Sequence, residues 1–298
     1  MGMANVLPTA KRAQILKTLC QGVSMRGTAE LCDVSMNAVV KLLADAGEAC
    51  MWAHDDLVQN VKASRIQCDE VWSFTYAKQK NVAGAKAAPE NAGDTWTWTA
   101  IDADSKLIVS YFVGDRSGAS ARSILCDLEH RLSNRVQLTT DGHIVYMRAV
   151  HEAFGNDIDY AMLDKIYGAP TKVRSAEARY SPPPVVGTKV RCCSGKPDPA
   201  HISTSFVERS NLSLRMHNRR FTRLTNAFSK RFESHVHMIA LYTMFYNFVR
   251  VHKTLRVTPA MQAGLTDRLW TFEDIVAKID YYAPPPKPRG PYKKRVKA

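Results

Sequence analysis

The amino-acid sequence predicts an α/β protein in which a mixed sheet flanked by helices follows an all-α segment. Residues 8–50 carry apolar side chains at helical spacing, whereas from about residue 64 the pattern changes to alternating β-branched and aromatic residues. From about residue 119 helical and strand patterns alternate, which is typical of a sheet covered by helices. Hydrophobic residues make up 45% of the 298 residues and charged residues 23%, a composition that allows a core to form.

The N-terminal segment is predicted to contain three helices. In KRAQILKTLCQG, Ile15, Leu16 and Leu19 form one apolar stripe, and Gly22 ends the helix. A short helix in MRGTAELC and a longer one in MNAVVKLLADAGEAC follow, separated by the turn DVS. Ser35 is placed to cap the longer helix.

Two short helices joined by a tight turn are typical of a helix-turn-helix, whose second helix enters the major groove of DNA. Ser35, Asn37 and Lys41 lie at the start of the second helix and are expected to face DNA. We therefore interpret residues 1–60 as a helix-turn-helix DNA-binding domain. Three-helix bundles that bind no DNA have much the same pattern, so this alternative stays open.

The strand patterns start with RIQCDEVWSFTYA, DTWTWTAID and LIVSYFVG, which together predict an antiparallel meander. A helix in ASARSILCDLEHRL, a strand in RVQLTTDG, a helix in HIVYMRAVHEAFG and a strand in IDYAMLDKIYG follow, and another helix is predicted at about 204–220. This order of elements is that of a ribonuclease-H-like fold, which we assign to residues 61–280.

The end of the chain is less regular. Clustered Pro and Gly predict a long loop inserted near residues 168–203. SKRFESHVHMIALYTMFYNFVRVH predicts a long, largely buried helix, and TPAMQAGL and TFEDIVAKI close the ordered part. Residues 281–298 are predicted to form a basic disordered tail, because they combine Pro with six basic residues and no acidic one: Lys287, Arg289, Lys293, Lys294, Arg295 and Lys297.

The charge of the chain indicates the class of its binding partner, and its cysteine content indicates the cellular compartment. The formal net charge of +13 favours a polyanionic partner such as nucleic acid. No run of 18 apolar residues is present and the N-terminus lacks the apolar core of a signal peptide, so no membrane partner is expected. Seven cysteines without a CxxC pair fit a reducing cytoplasm and predict no zinc finger.

Three acidic residues stand where the predicted elements would bring them together. Asp69 lies in the first strand, Asp141 ends the strand of LTTDG, and Glu208 lies early in the helix of FVERSN. In a ribonuclease-H-like sheet these elements are neighbours, so the three carboxylates would share one edge. Two Mg²⁺ ions, with Mn²⁺ as a substitute, suit such a cluster because they prefer carboxylate and phosphate oxygens. Two ions about 4 Å apart activate a water or a 3′-hydroxyl and stabilise the leaving oxygen at phosphorus.

Strand and helix geometry define the neighbours of this triad. Because successive strand side chains point to opposite faces, Glu70 is expected on the far side from Asp69, in a salt bridge or in the interior. Asn211 and Arg215 share the helix face of Glu208. DNA contacts are predicted for this basic helix and its exit: Arg209, Asn211, Arg215, Arg219 and Arg220. A surface helix with ordinary ion pairs stays open as the alternative.

The blocks CDEVWSF, TTDG and FVERSNLSLR together resemble the signature blocks of bacterial insertion-sequence DDE transposases, with most similarity to the insertion-sequence-one type. HKTLRVTPAMQAGL and the residues before it resemble the last block of such transposases, with this pattern: Tyr246, Asn247, Arg250, His252, Leu255, Thr258 and Pro259. The resemblance spans about residues 64–280. Insertion-sequence-one proteins often begin with a zinc finger, which this sequence lacks, so end recognition would rest on the helix-turn-helix alone.

The resemblance implies a Mg²⁺-dependent transposase with Asp69, Asp141 and Glu208 as catalytic residues and metal ligands. It implies cleavage at the ends of a mobile element and transfer of the freed 3′-hydroxyl into target DNA. The partners would be terminal inverted repeats and target DNA, bound by a homodimer or larger oligomer at the bacterial nucleoid. Two alternatives stay open, namely a catalytically inactive or repurposed DNA-binding regulator and a ribonuclease-H-like nuclease that only cuts.

Overall fold

A six-stranded mixed sheet forms the centre of the protein in this computed structural model, which describes residues 6–168, 183–222 and 225–285. The strands stand in the order β3-β2-β1-β4-β5-β6 and have these bounds: β1 Arg65–Thr75, β2 Gly93–Asp102, β3 Ile108–Gly114, β4 Gln137–Asp141, β5 Asp159–Tyr167 and β6 Val185–Ser194. β1, β2 and β3 pair antiparallel, which confirms the predicted meander. β4 runs parallel to both β1 and β5, and β6 pairs antiparallel with β5. This sheet is consistent with a ribonuclease-H-like fold.

Helices flank the sheet on both faces. Their bounds are α1 Thr9–Cys20, α2 Met25–Leu31, α3 Met36–Leu57, α4 Gln79–Val82, α5 Gly118–Arg131, α6 Val145–Phe154, α7 Ser205–His217, α8 Phe232–Met244, α9 Pro259–Gln262 and α10 Phe272–Tyr282. Asn211 of α7 bonds to Asp69, and Tyr146 of α6 bonds to the next residue of β1, Glu70. Successive strand residues point to opposite faces, so α6 and α7 lie on opposite sides of the sheet.

The three N-terminal helices share a core with the C-terminal helices. α3 packs along α8 and α10, and buried apolar side chains form one continuous cluster from α1 through the sheet to α10. At the surface of this layer, Arg12 of α1 forms a two-bond ion pair with Asp280 of α10 at 2.6 and 2.9 Å. The helix cap predicted for Ser35 is confirmed, because its hydroxyl accepts the backbone N–H of Ala38 at 3.1 Å.

A buried amide explains part of the last sequence block. α8 continues into a π-helical turn, Phe245–Val249, in which Asn247 is fully buried. The side chain of Asn247 accepts the N–H of Ile108 and donates to the carbonyl of Ile108, both at 2.9 Å. Thr258 caps α9 by accepting the N–H of Met261. Asn247 therefore ties the turn after α8 to the start of β3, and Thr258 fixes the start of α9.

Two predicted irregular segments differ from the structure. The loop predicted over 168–203 contains β6, an edge strand that is exposed along most of its length and therefore lacks the alternating apolar pattern by which strands are recognised. Residues 169–182 of that loop lie outside the described residues. The predicted tail begins too early, because α10 extends to Tyr282. Its six basic residues lie outside the described residues.

None of the helices within the described ranges combines the length and the apolar character that crossing a bilayer requires.

We predict that Gly47→Ala destabilises the protein by about 1–2 kcal/mol, although Ala is the better helix former. A Cβ at this position of α3 would overlap with the backbone and side chain of His237 on α8, so the two helices would have to move apart. Urea unfolding measures the change. The control is Gly118→Ala at the first position of α5, where a Cβ meets open space and stability should stay equal or rise. Equal behaviour of the two variants would contradict the close packing of α3 on α8.

Candidate active site

Asp69 and Asp141 lie side by side because β1 and β4 run parallel. The register pairs Gln67 with Thr139 and Cys68 with Thr140, so the two aspartates follow on neighbouring strands and point to the same face. One carboxylate oxygen each from Asp69, Glu70 and Asp141 all lie within 4.8 Å of one another. This acidic cluster opens into a cavity of about 660 Å³, lined by Asp69, Arg116, Asp141, Gly142, His143, Ile144, Leu163, Asp164, Lys165, Tyr167, Thr204 and Glu208.

The turn after β4 holds the carboxylate of Asp141 in place. Its Oδ1 accepts the backbone N–H of His143 at 3.0 Å, a local bond that Asp commonly forms in turns. Gly142 lies between them, and a Cβ there would overlap with the carboxylate of Asp164 on β5. A Cβ at position 142 would therefore make the Asp164 side chain, which is paired with Arg191, move aside.

Asn211 of α7, the helix packed on this face of the sheet, orients the side chain of Asp69. Its Nδ2 donates to Asp69 Oδ2 at 2.8 Å, and its Oδ1 accepts the hydroxyl of Thr99 at 3.2 Å. Asn211 is buried, with 4% of its surface exposed. The helix face that carries Glu208 turns this amide onto the sheet, so the structure gives Asn211 an internal role, and the DNA contact predicted for it stays a prediction.

The carboxylates of the acidic cluster carry like charges and repel one another. Burial, followed by the charges of Glu70, Asp141 and Glu208, raises the pKa of Asp69 to about 7. The pKa of Glu70 is also raised, first by burial and then by Asp141, although Arg116 opposes the shift. A divalent cation would remove this repulsion. The carboxylate oxygens of Asp69 and Asp141, with an oxygen of Glu70 within 4.8 Å, fit Mg²⁺ or Mn²⁺.

Glu70 lies on the face opposite to Asp69, as predicted, and is buried there in an ion pair. Its Oε1 accepts Nε of Arg116 at 2.7 Å, and its Oε2 accepts the hydroxyl of Tyr146 at 3.1 Å. The sequence alone gives no reason to expect Glu70 near the other acids. The structure brings it there because it lies beside the end of β4, where Asp141 leaves the sheet.

Glu208 reaches the same cavity from the start of α7. Gln67 of β1 accepts the backbone N–H groups of Phe206 at 2.9 Å and Val207 at 3.1 Å, so the strand of Asp69 caps the helix of Glu208. The carboxylate of Glu208 accepts the hydroxyl of Thr204 at 2.5 Å and forms an ion pair with Lys165 of β5. Within the described ranges Glu208 is not part of the 4.8 Å cluster.

The basic residues predicted to bind DNA from α7 and its exit differ in position. Arg209 is exposed, whereas Arg215 and Arg219 are half-buried. Arg220 points inward, where its guanidinium donates to Ser229 Oγ at 2.9 Å and to Met25 Sδ at 3.5 Å. Burial lowers the pKa of Arg220 to about 10. The guanidinium of Arg220 therefore joins α2 to the segment before α8, and the DNA contact predicted for this half-buried residue stays a prediction.

The residues predicted to face DNA in the N-terminal helices lie at the start of α3. Asn37 and Lys41 are exposed one turn apart on the same side of the helix. The hydroxyl oxygen of Ser35 is engaged as the cap of α3. Glu30 and Asp33, which line a small depression at the preceding turn, give this surface some negative charge.

Two cations of the cavity were not identified from the sequence. Lys165 could have been found, because the carboxyl ends of parallel β4 and β5 meet at one edge and Lys165 follows the partner of Asp141 by two residues. Arg116 follows β3 and carries no local signal. Its contact with Glu70 depends on the pairing of β1, β2 and β3 and on the path into α5.

Neither a protein-family model nor a curated protein matches the chain. Similar solved structures are complexes of Mos1 transposase. The paired-end complex with the left transposon end is 14% identical over 54% of this chain and 60% of that one, with a TM-score of 0.23. The Mos1 mariner paired-end complex with Mn is 15% identical over 52% and 59%, with a TM-score of 0.21.

The Mos1 strand transfer complex is 13% identical over 81% of this chain and 78% of that one, with a TM-score of 0.23. In the first of these comparisons the chain spans less than two thirds of the length of the transposase. These neighbours are mariner proteins rather than insertion-sequence-one proteins. At such identities and TM-scores the likeness says nothing about activity, which has to be inferred from this chain's own residues.

We predict that Mn²⁺ binds about tenfold more weakly at pH 6 than at pH 8. The pKa of Asp69 is raised to about 7, so a proton competes with the cation below that pH, whereas the carboxylate is charged above it. Calorimetric titration with Mn²⁺ at the two pH values measures the effect. Asp157→Asn, which removes an exposed acid paired with Arg135, should keep the tenfold ratio. The Asp69→Asn variant should bind Mn²⁺ weakly at both pH values. A wild-type affinity for Mn²⁺ that is the same at pH 8 and pH 6 would contradict the raised pKa of Asp69.

Proposed function

We propose that the protein is a DDE-type DNA transposase that cleaves DNA at the ends of an insertion sequence and transfers the freed strand into target DNA. The observation that carries this proposal is the placement of Asp69 and Asp141 on adjacent parallel strands, with Glu208 on the wall of the same cavity. The net charge of +13 supports a nucleic-acid substrate for such an acidic cavity.

The residues of the cavity have separate tasks in this reaction. Asp69 and Asp141 hold divalent metal, with Glu70 and Glu208 at its two sides, and Asn211 keeps the carboxylate of Asp69 turned toward the cavity. Bound Mg²⁺ or Mn²⁺ supplies the activation of a water or 3′-hydroxyl and the stabilisation of the leaving oxygen. The backbone N–H of His143 and the cap from Gln67 hold Asp141 and the helix of Glu208 in place during the reaction.

Sequence-specific binding is assigned to the N-terminal helices. Asn37 and Lys41 are exposed at the start of α3, where a recognition helix presents side chains to the major groove. α3 is also packed on α8 and α10, so bound DNA would be held in a fixed relation to the catalytic sheet. The terminal inverted repeats of the element are the proposed target of this surface, and Arg209 is the proposed phosphate contact beside the cavity.

The finer assignment rests on the sequence. The insertion-sequence-one type and assembly as a homodimer or larger oligomer on DNA follow from the resemblance of CDEVWSF, TTDG and FVERSNLSLR, and the use of two Mg²⁺ ions follows from the chemistry of a carboxylate cluster.

A DNA-binding regulator without catalysis is the second candidate. The ion pair between Glu208 and Lys165 favours it, because a carboxylate engaged with a lysine is less available to a metal. The two candidates differ in whether substitution of Asp69 changes any activity on DNA.

We predict that Asp69→Asn abolishes strand cleavage and strand transfer while DNA binding is retained. The amide keeps the size of the side chain but cannot supply a charged oxygen to Mg²⁺. The assay uses duplexes that carry the sequences flanking the gene, with cleavage and integration followed on gels and binding by mobility shift. The control is Asp157→Asn, an exposed acid that should leave all three readouts unchanged. If the Asp69→Asn variant cleaves DNA as the wild type does, this site is ruled out. If the wild type itself does not cleave DNA, the regulator is favoured.

We predict that Asn37→Ala weakens binding to the element end by about 1–3 kcal/mol and relaxes the preference at one base pair. Lys41→Gln should weaken binding to all sequences alike and lower the salt slope of binding by about one, since it removes one phosphate contact. Point substitutions are the suitable test because deletion of residues 1–60 would expose the core shared with α8 and α10.

Competition between end and random duplexes measures both changes. The matched control is Lys62→Gln, an exposed lysine before the first residue of β1, at the end of the sheet away from Asp141. Equal effects of Lys41→Gln and Lys62→Gln would show that α3 has no special role, and end recognition would then belong to another surface.

A further inference from the structure

Arg116 lies in a short connection whose backbone is fixed from several sides. It stands between Gly114, the last residue of β3, and Ser117, which caps α5. The indole N–H of Trp98 donates to the carbonyl of Asp115 at 2.9 Å. The carboxylate of Asp115 in turn accepts the N–H and the hydroxyl of Ser117. The position from which the Arg116 side chain starts is therefore rigid.

The guanidinium of Arg116 is held on two sides and open on a third. Its Cζ lies 4.6 Å above the ring of Trp96, and its Nε and Nη2 donate to Oε1 of Glu70 at 2.7 and 2.6 Å. Nη2 is also 4.0 Å from Oδ2 of Asp141. The Arg116 side chain is 43% exposed and lines the cavity, whereas that of Glu70 is 1% exposed. Nη1 of Arg116 forms no hydrogen bond with any of the described residues.

Glu70 serves as the anchor of this arrangement. A carboxylate buried to this extent requires partners, and it has Arg116 on one oxygen and the hydroxyl of Tyr146 on the other. Tyr146 is itself fully buried, with its ring packed edge-on against Trp98. Glu70 is therefore fixed in the interior, and its bond to Arg116 keeps the guanidinium in place with its open edge facing the cavity.

From this arrangement we infer that Arg116 binds a backbone phosphate of the DNA strand that enters the cavity, with Glu70 and Trp96 as its positioning residues. A planar guanidinium offers two parallel N–H groups to a phosphate, and one that is already stacked and paired loses little side-chain entropy on binding. Its place 4.0 Å from Asp141 puts that phosphate beside the acidic cluster. This inference rests on the proposed function, because it needs DNA in the cavity.

The test measures the salt dependence of binding to a fluorescent duplex of random sequence in EDTA, since phosphate contacts do not depend on base sequence and no cleavage occurs without metal. Loss of one phosphate contact lowers the slope of log affinity against log salt by about 0.9, which amounts to about eightfold weaker binding at 0.1 M salt. Arg116→Gln should show this loss. Arg116→Lys should keep the slope, because it keeps the charge, and bind more weakly because it loses the stacked fork.

Two further variants separate phosphate binding from simple neutralisation of Glu70. In Glu70→Gln/Arg116→Gln the local charges are balanced again. If Arg116 binds phosphate, the double variant keeps the reduced slope, whereas a return to the wild-type slope would overturn the inference. Arg135→Gln is the matched control, because Arg135 is also paired with carboxylates but lies before β4, at the end of that strand away from Asp141.

The outcomes distinguish this inference from the proposed function. A wild-type slope in Arg116→Gln, with the melting temperature showing a folded protein, overturns the role of Arg116 and leaves the transposase proposal standing. A wild-type protein that shows no salt-dependent binding to any duplex overturns both. Equal slope losses in Arg116→Gln and Arg135→Gln would show a general charge effect and would also overturn the assignment to Arg116.

Discussion

The parallel pairing of β1 with β4 forces two carboxylates together in a partly buried place. Asp69 and Asp141 occupy successive positions on neighbouring strands and point to the same face, with Glu70 within 4.8 Å of both. This crowding is unfavourable for an isolated protein, as the raised pKa of Asp69 shows. Proteins carry such strain mainly where charge is needed for a task. Much of the surrounding structure serves to hold these groups in place despite their repulsion.

Each acid is held by a contact from a different part of the chain. Asn211 of α7 orients Asp69, the turn after β4 fixes Asp141, and Arg116 with Tyr146 neutralises and solvates Glu70 from the other face. The cap that Gln67 provides to α7 links the strand of Asp69 to the helix of Glu208. A displacement of either element would therefore break a buried hydrogen bond as well as the site, which couples the geometry of the cluster to the stability of the fold.

The N-terminal helices are part of this same core rather than a separately packed unit. α3 lies against α8 and α10, and Arg131 of α5, which is buried, donates to the carbonyls of His54 and Val58 at the end of α3. Any DNA bound at the start of α3 would consequently be held rigidly relative to the sheet. The last sequence block has a structural role in this core, because Asn247 joins the turn after α8 to Ile108 at the start of β3.

The sequence by itself determined the features that depend on nearby residues. These are the cap of α3 by Ser35, the alternation in β1 to β3, the opposite faces of Asp69 and Glu70, and three of the acids that line the cavity, Asp69, Asp141 and Glu208. The remaining features depend on which strands become neighbours, and local periodicity carries no information about that. Only the tertiary structure brought Arg116 to Glu70 and Lys165 to Glu208, turned Asn211 and Arg220 inward, and paired the exposed β6 with β5. The physical reason is that these contacts join residues far apart in the chain, whose meeting is decided by the packing of the whole core.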